Sequence, residues 1–148
     1  MRLEKREISS RRSIDKFIME CSVVRLGMIS RGEPYVVPLN FVYSEGIVYF
    51  HCSLEGRKIE AIRANPGVCL EFDAMHGVSV KEQTAYYTSV VAWGDAVFVS
   101  DISRVKQILH VICLKYLDCS PEITEDMAER TCVVSIRINR ATGKEKKG

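Results

Sequence analysis

The chain has 148 residues, of which 47% are hydrophobic and 27% charged, and its formal net charge is +2. That length suits one domain with a proper core, expected to span 1–148 as a single unit. A near-neutral balance with scattered lysines and arginines speaks against a nucleic-acid partner, and no apolar run reaches the roughly 20 residues that cross a bilayer.

The six cysteines, Cys21, Cys52, Cys69, Cys113, Cys119 and Cys132, form no C-x-x-C pair. No Cys/His cluster has zinc spacing, so no metal site is expected. The opening MRLEKREISSRR is charged and has no apolar signal core. The expectation is a reduced, cytoplasmic protein whose thiols are packed rather than bridged.

In chain order, Ser13 to Cys21 carries Ile14, Phe17 and Ile18 on one helical face, and Ser22 to Ser30 reads as a strand. Arg31 to Pro34 is a turn by composition. Tyr35, Val37, Leu39, Phe41 and Tyr43 alternate with their neighbours as one strand, which Ser44-Glu45-Gly46 folds back in a hairpin onto Ile47 to Cys52. Pro38 cannot donate to a ladder, so it marks an edge, a bulge or a ligand-facing site. Leu54 to Ala64 is a short helix stopped by Asn65-Pro66. Gly67 to Asp73 is a strand, and 74–83 reads as a loop. Thr84 to Ser100 is long and β-rich, with Gly94 predicting a bulge or bend. Asp101 caps a helix to about Leu117, Pro121 to Glu129 forms a second short helix, and Cys132 to Ile138 is the last strand. The terminal KEKK run reads as a solvated tail. The sum is mainly β with flanking helices: six antiparallel strands, joined by hairpins and short links, closing a small barrel.

The candidate chemistry gathers around Arg57 and Lys58. Both fall in the first turn of a helix, where unpaired N–H groups and the dipole also favour an anion. Arg57 can fork onto two phosphate oxygens and Lys58 can add a point charge. His51 ends an apolar strand, and two readings stay open: a satisfied core residue, or a contact to cofactor or substrate able to carry a proton. Cys52 beside it reads as packed or ligand-lining rather than reactive. Asn40 needs hydrogen-bond partners if buried. Trp93 reads as core or dimer interface, and Tyr35, Phe41, Tyr43 and Phe50 as barrel packing.

Several segments together carry a family resemblance: PYVVPLNF, YFHCSLEGRK, Asn65-Pro66, YYTSVVAWGDA and IRINRATGK. The chain resembles the flavin-binding split-barrel proteins related to pyridoxamine 5′-phosphate oxidase, and within them the nitroimidazole-resistance group. The segments run in the family's order over nearly the whole chain. The resemblance implies a split barrel and a homodimer with FMN in clefts between the subunits. Arg57 and Lys58 would meet the flavin phosphate. Val36, Val37, Pro38, Leu39 and Asn40 would line the isoalloxazine ring, partly through backbone groups. His51 and Cys52 would sit near the ribityl chain or ring edge, and Ser89 and Val90 would approach from the long strand. The oxidases carry a longer C-terminal segment with a tryptophan and arginines for their substrate. This chain ends at Gly148 and has only Trp93, so pyridoxamine phosphate oxidation is not expected.

The activity implied is reduction of a small electron-poor, nitroaromatic-like molecule, with His51 as the catalytic candidate. No G-x-G-x-x-G motif names the electron donor. Two other classes share the barrel: a haem-binding or haem-degrading protein with a histidine ligand, and a non-catalytic flavin-binding module.

Overall fold

The computed structural model describes residues 4–148. Seven strands form one antiparallel sheet: β1 (Val24–Ser30), β2 (Glu33–Leu39), β3 (Val42–Ser44), β4 (Ile47–Cys52), β5 (Gly67–Ser79), β6 (Thr84–Phe98) and β7 (Cys132–Lys146). Their order is β2-β1-β5-β6-β7-β4-β3, so β2 and β3 are the edges. Four α-helices flank it: α1 (Arg11–Glu20), α2 (Arg57–Ala64), α3 (Ile102–Leu117) and α4 (Glu125–Glu129). Among the described residues no helix is long and apolar enough to cross a membrane.

The sheet curls because one of its faces is a single core. Leu26 of β1, Leu70 and Phe72 of β5, Val90 of β6, Val134 and Ile136 of β7 and Phe50 of β4 all belong to one buried cluster. Ile14 and Ile18 of α1 and Ala61 and Ile62 of α2 enter the same cluster. This is a split barrel with flanking helices. A second core lies outside β3, β4 and β7, where Val42, Tyr49 and Val133 pack on Val105, Ile108, Leu109 and Ile112 of α3. Asp101 caps α3 by accepting from the Ser103 N–H at 2.9 Å, as its position predicts.

The strand expected over 35–43 divides at Asn40-Phe41, which raises the strand count from six to seven. The Phe41 side chain is fully buried, and its backbone is taken by α3 rather than by a strand. Its N–H donates to Tyr116 Oη at 2.9 Å, and its carbonyl accepts from Lys115 Nζ and Tyr116 Oη, each at 2.9 Å. The Lys115 ammonium lies 3.8 Å from the centre of the Phe41 ring. The two halves then part: β2 pairs with β1, and only β3 makes the hairpin with β4. That hairpin turns on Glu45 and Gly46, both at positive φ (49° and 81°).

Three other expectations change. Residues 74–79 are strand, not loop: β5 continues past a bulge between Met75 and Gly77 and pairs as far as Ser79 with Thr84. Helix α2 begins at Arg57 rather than Leu54. The terminal charged run is the end of β7, where Lys144, Glu145 and Lys146 pair with Ser89, Thr88 and Tyr87. Charged side chains suit such a strand because alternate positions can point to water.

Gly94 does what its place predicts. The β6–β7 register shifts between Trp93 and Gly94. A Cβ on Gly94 would sit 2.2 Å from the Arg137 carbonyl oxygen, so no other residue allows the two strands to approach so closely there.

Candidate functional site

Helix α2 starts on Gly56, whose φ of 126° and ψ of 173° belong to glycine. Gly56 provides no side-chain cap; the Glu60 N–H donates to the Gly56 carbonyl at 3.0 Å, and among the described residues the N–H groups of Arg57 and Lys58 are left for an anion. Arg57 and Lys58 are the first two helical residues.

Arg57 is held by the β1–β2 corner. Its Nε donates to Ser30 Oγ at 2.8 Å, its guanidinium lies 4.2 Å from the centre of the Tyr35 ring, and a terminal nitrogen is 3.6 Å from the Glu33 carboxylate. Ser30 is buried, so Arg57 is aimed from a fixed point. Lys58 Nζ lies 5.6 Å from the centre of the Phe50 ring, at the end of β4. The two cations share a cleft of about 380 Å³ with Tyr35, His51, Cys52, Ser53 and Gly56.

His51 stands on the exposed side of β4, so the reading as a core residue does not hold. Its pKa lies below the usual imidazole value because the cleft walls partly desolvate the cation and Lys58 repels it. Near neutral pH it is therefore an uncharged donor and acceptor facing the cleft. Cys52 opposes Cys132 across the β4–β7 ladder. Burial pushes the Cys52 thiol up to about 11, against the pull of Lys58. It lines the cleft as a thiol, not as a nucleophile.

Strand β2 is an edge, in keeping with Pro38. Val36, Pro38 and Asn40 point outward and are exposed, while Val37 and Leu39 are half-buried toward the core. Asn40 thus has solvent for its amide, and one margin of β2 leaves backbone groups for a ligand. Tyr35 belongs to two clefts at once. Beyond it opens an apolar one of about 510 Å³, lined by Gly27, Val36, Cys69 and Trp93 among others. The anion cleft and the apolar cleft thus meet at Tyr35.

Ser89 and Val90 line neither cleft in the protomer. They lie four and three residues along β6 from Trp93, at about 3.3 Å per residue. Ser89 is half-exposed on the outer face. Val90 must be corrected: its side chain is fully buried in the barrel, and it pairs with Phe72 on one side and Gly143 on the other. Its side chain is therefore not available to a ligand in the protomer.

A family model of pyridoxamine 5′-phosphate oxidase matches residues 10–145. The chain belongs to the pyridoxamine 5′-phosphate oxidase family. No curated protein gives a significant match. Among solved structures, the chain is similar to a candidate 5-nitroimidazole antibiotic resistance protein from Bacteroides thetaiotaomicron, at 25% identity over 94% of this chain and 86% of that one, with a TM-score of 0.87. An FAD-binding protein from Mesorhizobium loti is 30% identical, over 93% of this chain and 96% of that one, with a TM-score of 0.72. A flavocytochrome from Azotobacter vinelandii shares the fold, with a TM-score of 0.86 at 22% identity, over 100% of this chain and 72% of that one.

Within this pyridoxamine 5′-phosphate oxidase fold, the contiguous residues Arg57 and Lys58 come together with His51 and Cys52 as a cleft. Reasoning from sequence missed Gly56, Ser30 and Tyr35, which open, aim and adjoin that cleft. Gly56 carried a signal, since glycine directly before two cations fits an uncapped helix start. Ser30 and Tyr35 carried none, because they meet Arg57 only through the packing of α2 on the β1–β2 corner.

Proposed function

We propose that this protein binds a phosphorylated flavin, FMN, and reduces small electron-poor compounds, nitroaromatics among them. The observation that carries the reading is this pair of adjoining clefts. An uncapped helix start bearing Arg57 and Lys58 adjoins, through Tyr35, an apolar cleft beside an edge strand. A phosphate dianion suits the first part, and a flat ring with polar edges suits the second.

When bound, the flavin supplies hydride and single-electron transfer. The chain's own residues bind and orient. Arg57 and Lys58 would hold the phosphate, and β2 from Val36 to Asn40 would offer backbone groups and exposed side chains along one margin. His51, neutral and facing the cleft, would donate to or accept from the cofactor or substrate and can hold a proton there. The likeness to the candidate nitroimidazole resistance protein supports the substrate class. The proposed assembly is a homodimer. Ser89 faces outward from a central strand, remote from the clamp of its own protomer, so a second copy could present it to that clamp.

An absorption spectrum of the purified protein, followed by chromatography of the released chromophore, tests the reading. FMN is expected. FAD would correct the cofactor, and a Soret band would replace flavin with haem. Turnover of a nitro compound with a reduced nicotinamide separates an enzyme from a flavin-binding module.

A further inference from the structure

Strand β4 ends on Cys52, strand β7 begins on Cys132, and the two stand directly opposite each other in the ladder. Among the described residues no other two cysteines face each other across a pair of strands. Directly opposed residues share a face of the sheet. Here it is the barrel side, because both side chains pack on the core cluster that holds Phe50 and Val134. Both thiols are free and half-buried, and Cys52 also lines the anion cleft.

The class of this pair decides what a bond across it would be like. At the other end of the same ladder the Ile138 N–H donates to the Gly46 carbonyl at 2.9 Å. Bonded and non-bonded pairs alternate along an antiparallel ladder. An even step from Gly46 puts Cys52–Cys132 in the bonded class, with Cα atoms about 5.5 Å apart. A disulfide spans Cα separations of about 4.4–6.8 Å, so this pair is within reach. Its Cβ atoms, by class about 5.5 Å apart, are wider than the roughly 3.8 Å a disulfide prefers. Closing the bond therefore has to draw the two strand ends together. A bond made against that resistance is more easily reduced, which suits a reversible site.

Helix α2 stands close enough to respond. Burial raises both thiols; on Cys132 the neighbouring Cys52 thiol, Arg63 and Lys58 pull back, and on Cys52 Lys58 alone does. Residues 53–56 alone join Cys52 to Arg57 at the start of the helix.

We propose that Cys52 and Cys132 form a reversible thiol–disulfide site, oxidised by low-molecular-weight disulfides, whose closure draws Cys52 off the cleft wall and weakens the Arg57–Lys58 clamp. The effect on the clamp rests on the flavin-binding reading; the bond itself does not. The Cys132 thiolate attacks one sulfur of the small disulfide, whose S–S bond breaks and releases one thiolate. At rest Cys52 is no nucleophile, but beside the mixed disulfide proximity outweighs its high pKa. Its thiolate attacks Cys132 Sγ and expels the second small thiolate. The protein loses two electrons and two protons, and the small disulfide gains both to become two thiols.

The test treats the purified full chain with glutathione disulfide, alkylates the remaining thiols and maps the peptides by mass spectrometry. A Cys52–Cys132 linkage is expected, reversed by dithiothreitol. FMN affinity, read by calorimetry, should fall about tenfold in the oxidised protein and recover on reduction. Cys52→Ser and Cys132→Ser should each prevent the linkage and make FMN affinity indifferent to glutathione disulfide, with Cys132→Ala a second probe should serine disturb the packing. Cys119→Ser, at an exposed thiol, should change neither readout. Unreacted thiols, mixed glutathione disulfides that never resolve, or linkage through other cysteines only would overturn the site. A Cys52–Cys132 bond with unchanged FMN affinity would overturn its hold on the clamp. If the bond forms in a protein that takes up no flavin, the thiol site stands and the flavin reading falls.

Discussion

The Arg57–Lys58 clamp and the apolar cleft that meets it at Tyr35 are built in opposite ways. The clamp takes His51, Cys52, Gly56, Arg57 and Lys58 from one short segment, so local geometry brings them together once a helix starts at Arg57. The apolar cleft takes Val36, Gly27, Cys69 and Trp93 from four strands, and only the register of the sheet aligns them. Chemistry written into a contiguous segment survives many changes elsewhere. Chemistry written across a sheet depends on every pairing between its ends.

The largest expected effect tests the local end. Replacing Arg57 and Lys58 together by Ala should weaken FMN far more than riboflavin, which lacks the phosphate. Each lost charge-assisted hydrogen bond should cost roughly 1.5–3 kcal/mol, before non-additivity. Calorimetry with the two ligands decides it, and equal losses would show that the pair does not meet the phosphate.

The second effect tests the distributed end. Gly94→Ala places a methyl 2.2 Å from the Arg137 carbonyl oxygen, at the bulge that brings Trp93 opposite Arg140. It should destabilise the fold by about 3 kcal/mol, read as a shift in the denaturant midpoint. In the folded fraction it should alter Trp93 emission while FMN affinity changes little. A stable variant with unchanged emission would show that the bulge does not set the position of Trp93.

Gly56→Ala comes third. A non-glycine residue at φ 126° carries backbone strain, worth about 1–3 kcal/mol. The strain should loosen the helix start and weaken FMN without moving Trp93 emission. Unaltered FMN affinity would mean that the open helix start plays no part in binding.

The smallest effect concerns His51. Its pKa in the fold is depressed below the ordinary 6.5. Its contribution to stability is therefore present above pH 6.5 and is lost as pH falls through the lower, folded value. His51→Asn should flatten the pH dependence of the melting temperature in that acid window and leave it unchanged at pH 8. A bound phosphate should raise the imidazole pKa, so FMN binding should take up protons below pH 6.5, visible in an NMR titration of His51. An imidazole pKa indifferent to FMN would remove His51 from the cofactor's surroundings.

Much of the clamp could be read in advance because its signals are local. Two cations opening a helix, a proline on an edge strand, an Asp101 cap and a glycine bulge each follow from one or two residues. The misreadings have non-local causes. The strand over 35–43 breaks because Tyr116 and Lys115, far along the chain, capture the Phe41 backbone. The charged end of β7 is strand because β6 is there to pair with it. Val90 fails as a ligand contact because its place in the barrel directs its side chain inward.

The sequence by itself determined the elements and the local chemistry: hydrophobic periodicity, caps and turn residues act over a few positions, and so does the placing of Arg57 and Lys58 at a helix start. The tertiary structure alone decided which strand pairs with which, where Arg57 points and what stands beside Trp93. Those outcomes depend on ladder register and on burial between distant segments, which no short window of sequence specifies.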